Sequence, residues 1–152
     1  MNIKLIAVGK VKEEYYRKKI EELKSDINYV HKNRIEIIEV PDESIPVKQS
    51  TPVLEGIKNK EGDRILSKID KNDYVVALCI DGKPTEQKKL KELFVRAKEN
   101  YCSSFVLVIG GSLGLSDDVI KRADYKLSIS NMTFPHQLMR VMMLEIVDSI
   151  DI

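Results

Sequence analysis

The sequence has no tryptophan, and aromatic residues make up only 6% of it. So few rings argue against a stacking platform for single-stranded nucleic acid. The two cysteines, Cys79 and Cys102, stand far apart and form no CxxC pair. They imply neither a zinc site nor a disulfide framework, and we expect no metal in this protein.

Long apolar runs are missing as well. No stretch of the sequence approaches the ~20 apolar residues that a membrane-spanning helix needs, so we expect no membrane partner. The chain opens with Met1-Asn2-Ile3-Lys4-Leu5 and goes directly into a strand-like pattern, without the features of a signal peptide. With these features, the simplest compartment is the cytoplasm.

Neither sign of charge predominates. The 25 basic and 24 acidic residues leave a formal net charge of +1 at pH 7. This balance excludes a polybasic nucleic-acid coat protein and an acidic tail protein. It leaves room for a local basic patch, and therefore for a nucleic-acid partner.

Five short apolar runs have strand character. They cover residues 3–8, 35–40, 74–80, 105–109 and 125–129. Runs such as Phe105-Val106-Leu107-Val108-Ile109 are apolar throughout, which is typical of strands covered on both faces in a parallel sheet. The 152 residues, 43% of them hydrophobic, suffice for a single domain spanning 1–152.

Segments with helical spacing of apolar residues lie between these strands. They cover residues 13–30, 53–69 and 86–98, a short stretch after Ser116, and a last helix from Pro135 towards Ile152. Ser116 can cap the short helix, and Pro135 suits a first helical turn. Residues 41–52, with three prolines, are expected to form a surface loop. The alternation predicts an α/β domain with a mostly parallel sheet and helices on both faces.

Two turn-like segments follow neighbouring strands. Gly110-Gly111-Ser112-Leu113-Gly114 comes after the fourth strand and matches neither GxGxxG nor a Walker A loop. Cys79-Ile80-Asp81-Gly82-Lys83-Pro84 ends the third strand and has turn chemistry. Because both segments leave the carboxyl edge of a parallel sheet, we expect them to face each other across a crevice. For both segments, a plain turn and a ligand-binding loop remain possible interpretations.

A third segment leads from the fifth strand into the last helix. There His136 and Arg140 share a helix face at i and i+4. Glu145 is expected on the side where an apolar residue would pack, so its carboxylate needs a partner or a function. Purely structural roles remain possible for all three. His136 could be a hydrogen-bonded histidine at a helix start, and Arg140 and Glu145 could form an ion pair or an interface contact.

Taken together, these segments resemble a known family. The most specific are Val108-Ile109-Gly110-Gly111-Ser112-Leu113-Gly114-Leu115-Ser116 and Met132-Thr133-Phe134-Pro135-His136-Gln137-Leu138-Met139-Arg140-Val141. Shorter ones are Glu39-Val40-Pro41-Asp42-Glu43, Lys60-Glu61-Gly62, and Leu78 with Gly82-Lys83. Over nearly its whole length the chain resembles the ribosomal RNA large-subunit methyltransferase H family of the SPOUT superfamily.

The resemblance implies properties that spacing alone does not give. It implies a trefoil knot in the C-terminal part, which is nearly absent from other folds, and a homodimer built through that region. It implies S-adenosylmethionine as methyl donor and N3 of a pseudouridine in large-subunit (23S) ribosomal RNA as acceptor. The implied partner is the assembled ribosome.

Carried over position by position, the resemblance also implies cofactor-binding residues. These are Leu78, Gly110, Ile129, Ser130, Asn131, Met132, Thr133 and Phe134. No catalytic residue is assigned by it. Our candidates for RNA contact or proton handling are His136, Arg140 and Glu145.

The sequence departs from the family pattern after Glu145. The family continues with a Tyr-Arg segment and a Pro-Tyr-His tail, whereas this sequence reads Ile146-Val147-Asp148-Ser149-Ile150-Asp151-Ile152. This departure motivates an alternative: a dimeric, cofactor-binding homologue with impaired catalysis. A flavodoxin-like nucleotide or response-regulator domain ranks lower, because its acidic candidates Glu39, Asp42 and Asp81 are scattered.

Overall fold

The computed structural model describes residues 1–31, 33–130, 132 and 134–150. In this part of the chain, strands and helices alternate from one end to the other. Their order is β1 (Asn2–Val8), α1 (Glu14–Val30), β2 (Arg34–Val40), α2 (Thr51–Leu66), β3 (Tyr74–Pro84), α3 (Gln87–Glu99), β4 (Ser104–Ile109), α4 (Asp117–Arg122), β5 (Tyr125–Ser128) and α5 (His136–Ser149).

All strand pairs of the sheet are parallel, and the strand order is β2-β1-β4-β3-β5. The central strand β4 is buried at every position, as its continuous apolar run predicts. In the edge strand β2 only Ile35 and Val40 are buried, and the other positions are half-buried or exposed. The expected α/β class with a parallel sheet is confirmed.

Helices cover both faces of the sheet. Helices α1, α3 and α5 pack on one face through Leu23, Leu93 and Leu144, together with Leu5 and Leu107 of the sheet. Helices α2 and α4 cover the other face in a second, smaller core cluster. Ser116 caps α4, as predicted, because its Oγ accepts the N–H of Val119 at 3.4 Å.

The chain crosses the carboxyl edge of the sheet between β5 and α5. Strand β5 lies at one edge beside β3, yet Arg140 of α5 bonds to Val8 and Gly9 at the end of β1. Residues 129–135, here called the crossing segment, therefore connect the β5 edge with the ends of the inner strands. Its described residues, 129, 130, 132, 134 and 135, belong to neither a helix nor a strand.

The predicted end of the third strand is wrong. Strand β3 does not end at residue 80 but continues to Pro84. Leu78 and Lys83 both pair with Leu127, so residues 79–82 form a detour within the strand. Helix α5 ends at Ser149, where Ile150 already has an extended backbone, and residues 151–152 lie outside the described part.

Candidate functional site

A cleft of about 520 Å³ opens at the carboxyl edge of the sheet, where open α/β sheets bind ligands. We call it the strand-end cleft. Residues 78–80 of β3 and the segments that follow β4 and β5 form its walls, and the start of α5 closes one side. Its lining consists of Leu78, Cys79, Ile80, Ile109, Gly110, Gly111, Ser112, Gly114, Leu127, Ser128, Ile129, Ser130, Phe134, Pro135, His136 and Met139.

The loop after β4 can fold tightly back on itself because its first residue has no side chain. A Cβ added at Gly110 would lie 2.8 Å from the carbonyl carbon of Gly114. The turn is closed by the N–H of Gly114, which donates to the oxygen of Gly111 at 3.0 Å. Gly114 has a φ of +83°, a conformation that other residues rarely adopt. Backbone polar groups of this loop therefore border the cleft directly.

The detour in β3 and the segment after β5 are joined by one hydroxyl group. The Oγ of Ser128 lies 3.2 Å from the carbonyl oxygen of Ile80 and 3.1 Å from that of Ser130. Farther along, the N–H of Met132 donates to the Oγ of Ser130 at 3.1 Å. These bonds fix the start of the crossing segment against the detour in β3.

The residues implied by the resemblance divide into three groups. Leu78, Gly110, Ile129, Ser130 and Phe134 line the strand-end cleft. Met132 is 69% exposed and is absent from the lining. Asn131 and Thr133 lie outside the described residues. The structure thus brings together residues that are separated by more than fifty positions in the sequence.

His136 is the first residue of α5, and its half-buried ring lines the cleft. Burial lowers the pKa of the imidazole below its ordinary 6.5, and the neighbouring Arg140 cation lowers it further. The carboxylate of Asp42 acts in the opposite direction. At neutral pH the ring is therefore neutral, with one nitrogen free to accept a proton.

Arg140 lies outside the cleft, and only 1% of its surface is exposed. Its Nη1 donates to Glu39 Oε2 at 2.7 Å, and its Nη2 donates to the carbonyl oxygens of Val8 and Gly9 at 2.9 and 2.7 Å. A guanidinium held in this way does not reach the strand-end cleft. Arg140 instead anchors the first turns of α5 to the ends of β1 and β2.

The expectation that Glu145 lies on the packed side of its helix is wrong. Its side chain is 49% exposed and pairs with Lys19 of α1, with Nζ and Oε1 3.4 Å apart. The buried face of α5 is formed by Arg140, Met143, Leu144 and Val147. Within the described chain, Glu145 is absent from the cleft lining.

Sequence reasoning missed Glu61 as a buried carboxylate next to the cleft loop. It is 5% exposed, accepts the N–H of Glu43 at 3.0 Å, and sits against Gly111. Burial raises the pKa of its carboxyl group. A signal was present, because Ile57, Glu61 and Ile65 occupy i, i+4 and i+8 of α2 and the flanking pair is buried.

The described residues include neither a membrane-spanning helix nor a metal-binding cluster. Among them, no helix is long and apolar enough to cross a membrane. Nor do they contain a group of three or more histidine, cysteine, aspartate or glutamate side chains that could hold a metal ion.

Comparisons with known proteins fit this site. A family model described as "Predicted SPOUT methyltransferase" matches residues 1–147. The chain belongs to the SPOUT methyltransferase family. Curated relatives named "Ribosomal RNA large subunit methyltransferase H" include one from Clostridioides difficile, 48% identical over 149 residues, and one from Ligilactobacillus salivarius, 45% identical over 145. Each alignment covers 95% of this chain and 90% of the relative.

This membership confirms the resemblance seen in the sequence, and it makes the chain a methyltransferase. The family match spans every element that forms the strand-end cleft, from β1 to most of α5. The chain is thus a SPOUT methyltransferase with a cleft at the carboxyl edge of its sheet.

The close approach at Gly110 predicts opposite effects for two glycine variants. Gly110→Ala should lower the free energy of unfolding by about 1–3 kcal/mol, because the new methyl group overlaps the Gly114 backbone. Gly56→Ala, within α2 and with nothing within 4 Å of the added Cβ, should raise it by about 0.5–1 kcal/mol. Urea denaturation measures both, and equal changes at the two positions would contradict the tight loop.

The lowered pKa of His136 predicts an acid sensitivity. Below about pH 6.5 the unfolded chain takes up this proton more readily than the folded one, so stability falls as the pH falls. His136→Gln should remove part of the loss in unfolding free energy between about pH 8 and pH 5. NMR titration of the His136 ring gives a direct check. A pKa at or above the ordinary value would refute the burial argument.

Proposed function

We propose that this protein transfers the methyl group of S-adenosylmethionine to N3 of a pseudouridine in large-subunit (23S) ribosomal RNA, acting on the assembled ribosome. The observation that carries the proposal is the strand-end cleft, which gathers residues 78–80, 109–112, 127–130 and 134–136 at one sheet edge. The names of the relatives support ribosomal RNA of the large subunit as the substrate.

The residues of the cleft fit the nucleoside end of S-adenosylmethionine. Leu78, Ile129 and Phe134 offer apolar surfaces for the adenine ring, while backbone groups around Gly110 can bond its polar edge. The described lining contains no aspartate, glutamate, lysine or arginine. A sulfonium would therefore be held by backbone and hydroxyl oxygens rather than by an ion pair. Asn131 and Thr133 remain proposed contacts from the resemblance alone.

Two side chains of α5 give the cleft its chemistry. S-adenosylmethionine, when bound, supplies a methyl group on a positively charged sulfur. That sulfur leaves as a neutral thioether, which is a good leaving group. The protein must then orient the acceptor base and take the proton from its N3. Neutral His136 can accept that proton on a ring nitrogen, and Met139 on the same helix face limits access of water.

We further propose that the protein is a homodimer through the outward face of α5. Leu138, Val141 and Met142 lie at i, i+3 and i+4 and keep part of their surface exposed. Glu145 follows on this face with its partner Lys19 of α1. In a dimer these apolar surfaces would be buried, and Glu145 would lie at the interface rather than in its own cleft.

Three further properties are proposed with this function. One sheet with a core on each face supports a single catalytic domain over residues 1–152. The crossing segment, which leads from the β5 edge to the end of β1, is compatible with a trefoil knot in the C-terminal part. A ribosomal substrate would place the protein in the cytoplasm.

The experiment that tests this function combines cofactor binding with methyl transfer. Calorimetric titration should show S-adenosylmethionine binding, which Phe134→Ala weakens by about tenfold through loss of ring contact. Val95→Ala, at an exposed position of α3, should leave the binding unchanged. Ribosomes that lack the modification should then accept a labelled methyl group on one pseudouridine.

An isolated RNA stem-loop that contains the target pseudouridine should be a poor substrate, because a subunit of net charge +1 makes few phosphate contacts. Binding of the cofactor without transfer to ribosomes would instead support the catalytically impaired homologue. Failure to bind S-adenosylmethionine would contradict the proposed cleft.

A further inference from the structure

A second cavity, of about 330 Å³, lies between α1 and the edge strand β2. We call it the α1–β2 cavity. Its apolar lining includes Leu5, Ile20 and Ile37, and its polar lining includes charged side chains from α1, β2 and α5. Among the described residues, none lines both this cavity and the strand-end cleft. The methyl-transfer chemistry described above does not use it.

Two cations border the cavity on one face of α1. Arg17 and Lys24 are seven residues apart, which is about two helical turns, and Ile20 lies between them. The Nε of Arg17 donates to the carbonyl oxygen of Val11 at 2.7 Å, which holds this side chain beside the cavity. Within the described part of the chain, neither cation has an ion-pair partner within 4.0 Å. The carboxylate of Glu21 lines the cavity as well, so the α1 wall carries two cations and one anion, with a net positive charge.

The opposite wall carries a hydrogen-bond acceptor. The carboxylate of Glu39 uses Oε2 for both the N–H of Val11 and Nη1 of Arg140. No described residue bonds to Oε1, and the side chain is 40% exposed. Arg140 also lines the cavity, is 2% exposed in its side chain, and has a buried Nε without a partner among the described residues. The wall thus offers one open acceptor and one unused buried donor.

We propose that the α1–β2 cavity binds one unpaired nucleotide of the ribosomal RNA substrate. The base would lie against Ile37 and the edge of Ile20, above the fully buried Leu5, and donate an N–H to Oε1 of Glu39. The phosphate would meet Arg17 and Lys24. This inference rests on the proposed function, because it takes its ligand from the proposed substrate.

The chemistry of the lining favours a nucleotide over simpler ligands. A dicarboxylate would leave the apolar surface unused and would meet the charge of Glu39. A purely apolar molecule would leave both cations and the carboxylate without a partner. A nucleotide combines a flat ring, N–H donors and a phosphate, and an unpaired one presents its base edge to the protein. Two local cations also supply phosphate contacts in a chain whose net charge is +1.

Nucleotide binding can be tested without methyl transfer. Guanosine 5′-monophosphate is titrated into the full chain while the methyl signals of Leu5, Ile20 and Ile37 are followed by NMR. We expect shifts at these methyl groups, and weaker binding of ribose 5-phosphate, which lacks the base. Lys24→Ala should weaken binding by about tenfold, the loss expected for a hydrogen bond to a charged group.

Lys18→Ala is the matched control, because Lys18 lies on the same helix, is 75% exposed and pairs with Glu14. It should leave the binding of guanosine 5′-monophosphate unchanged. If Lys18→Ala and Lys24→Ala weakened this binding equally, general electrostatic attraction would explain the effect, and the proposal would be overturned. Unshifted methyl signals at Leu5, Ile20 and Ile37 would overturn it as well.

A kinetic measurement separates this site from the strand-end cleft. Lys24→Ala should raise KM for ribosomes while kcat, the thermal unfolding midpoint and the affinity for S-adenosylmethionine stay unchanged. A fall in kcat or in the unfolding midpoint would assign Lys24 a structural role and contradict the inference. If the wild-type chain transfers no methyl group, the proposed function fails. The nucleotide titration would still show whether the α1–β2 cavity binds a nucleotide.

Discussion

The buried guanidinium of Arg140 is the interaction on which the arrangement of the site depends. It binds two carbonyl oxygens at the end of β1 and the carboxylate of Glu39 in β2, at distances from 2.7 to 2.9 Å. Hydrogen bonds that involve a charged group contribute about 1.5–3 kcal/mol each, more than neutral ones. Because Arg140 lies one turn after His136, these bonds also fix the helix start that closes the strand-end cleft.

One anchor therefore serves two neighbouring cavities. On one side, His136 and Met139 face the cleft, whose lining is neutral and largely apolar. On the other side, Arg140 and Glu39 form a wall of the α1–β2 cavity, which is charged. This division suits a methyltransferase that must hold a small methyl donor in one place and a polyanionic substrate in another. A near-neutral chain can achieve this because its charges are placed locally rather than in excess.

Much of this structure could be predicted from the sequence, for identifiable reasons. Continuous apolar runs such as 105–109 marked the inner strands, and the glycines after them marked the cleft loop. The detour at 79–82 was not predicted as part of a strand, because pairing after it depends on Leu127, which is distant in the sequence. An ion pair was one of the open interpretations for Arg140 and Glu145, and both residues form one. Their partners were not predicted, because helix periodicity gives a face but not the contacts with Val8, Glu39 and Lys19.

Replacement of Arg140 by methionine tests the central claim most directly, since it keeps the volume but removes the charge and the donors. Hydrogen exchange followed by mass spectrometry would compare the variant with the wild type. The account predicts faster exchange in the first turns of α5 and weaker binding of S-adenosylmethionine, while β4 keeps its protection. Unchanged exchange in α5 together with unchanged cofactor affinity would contradict it.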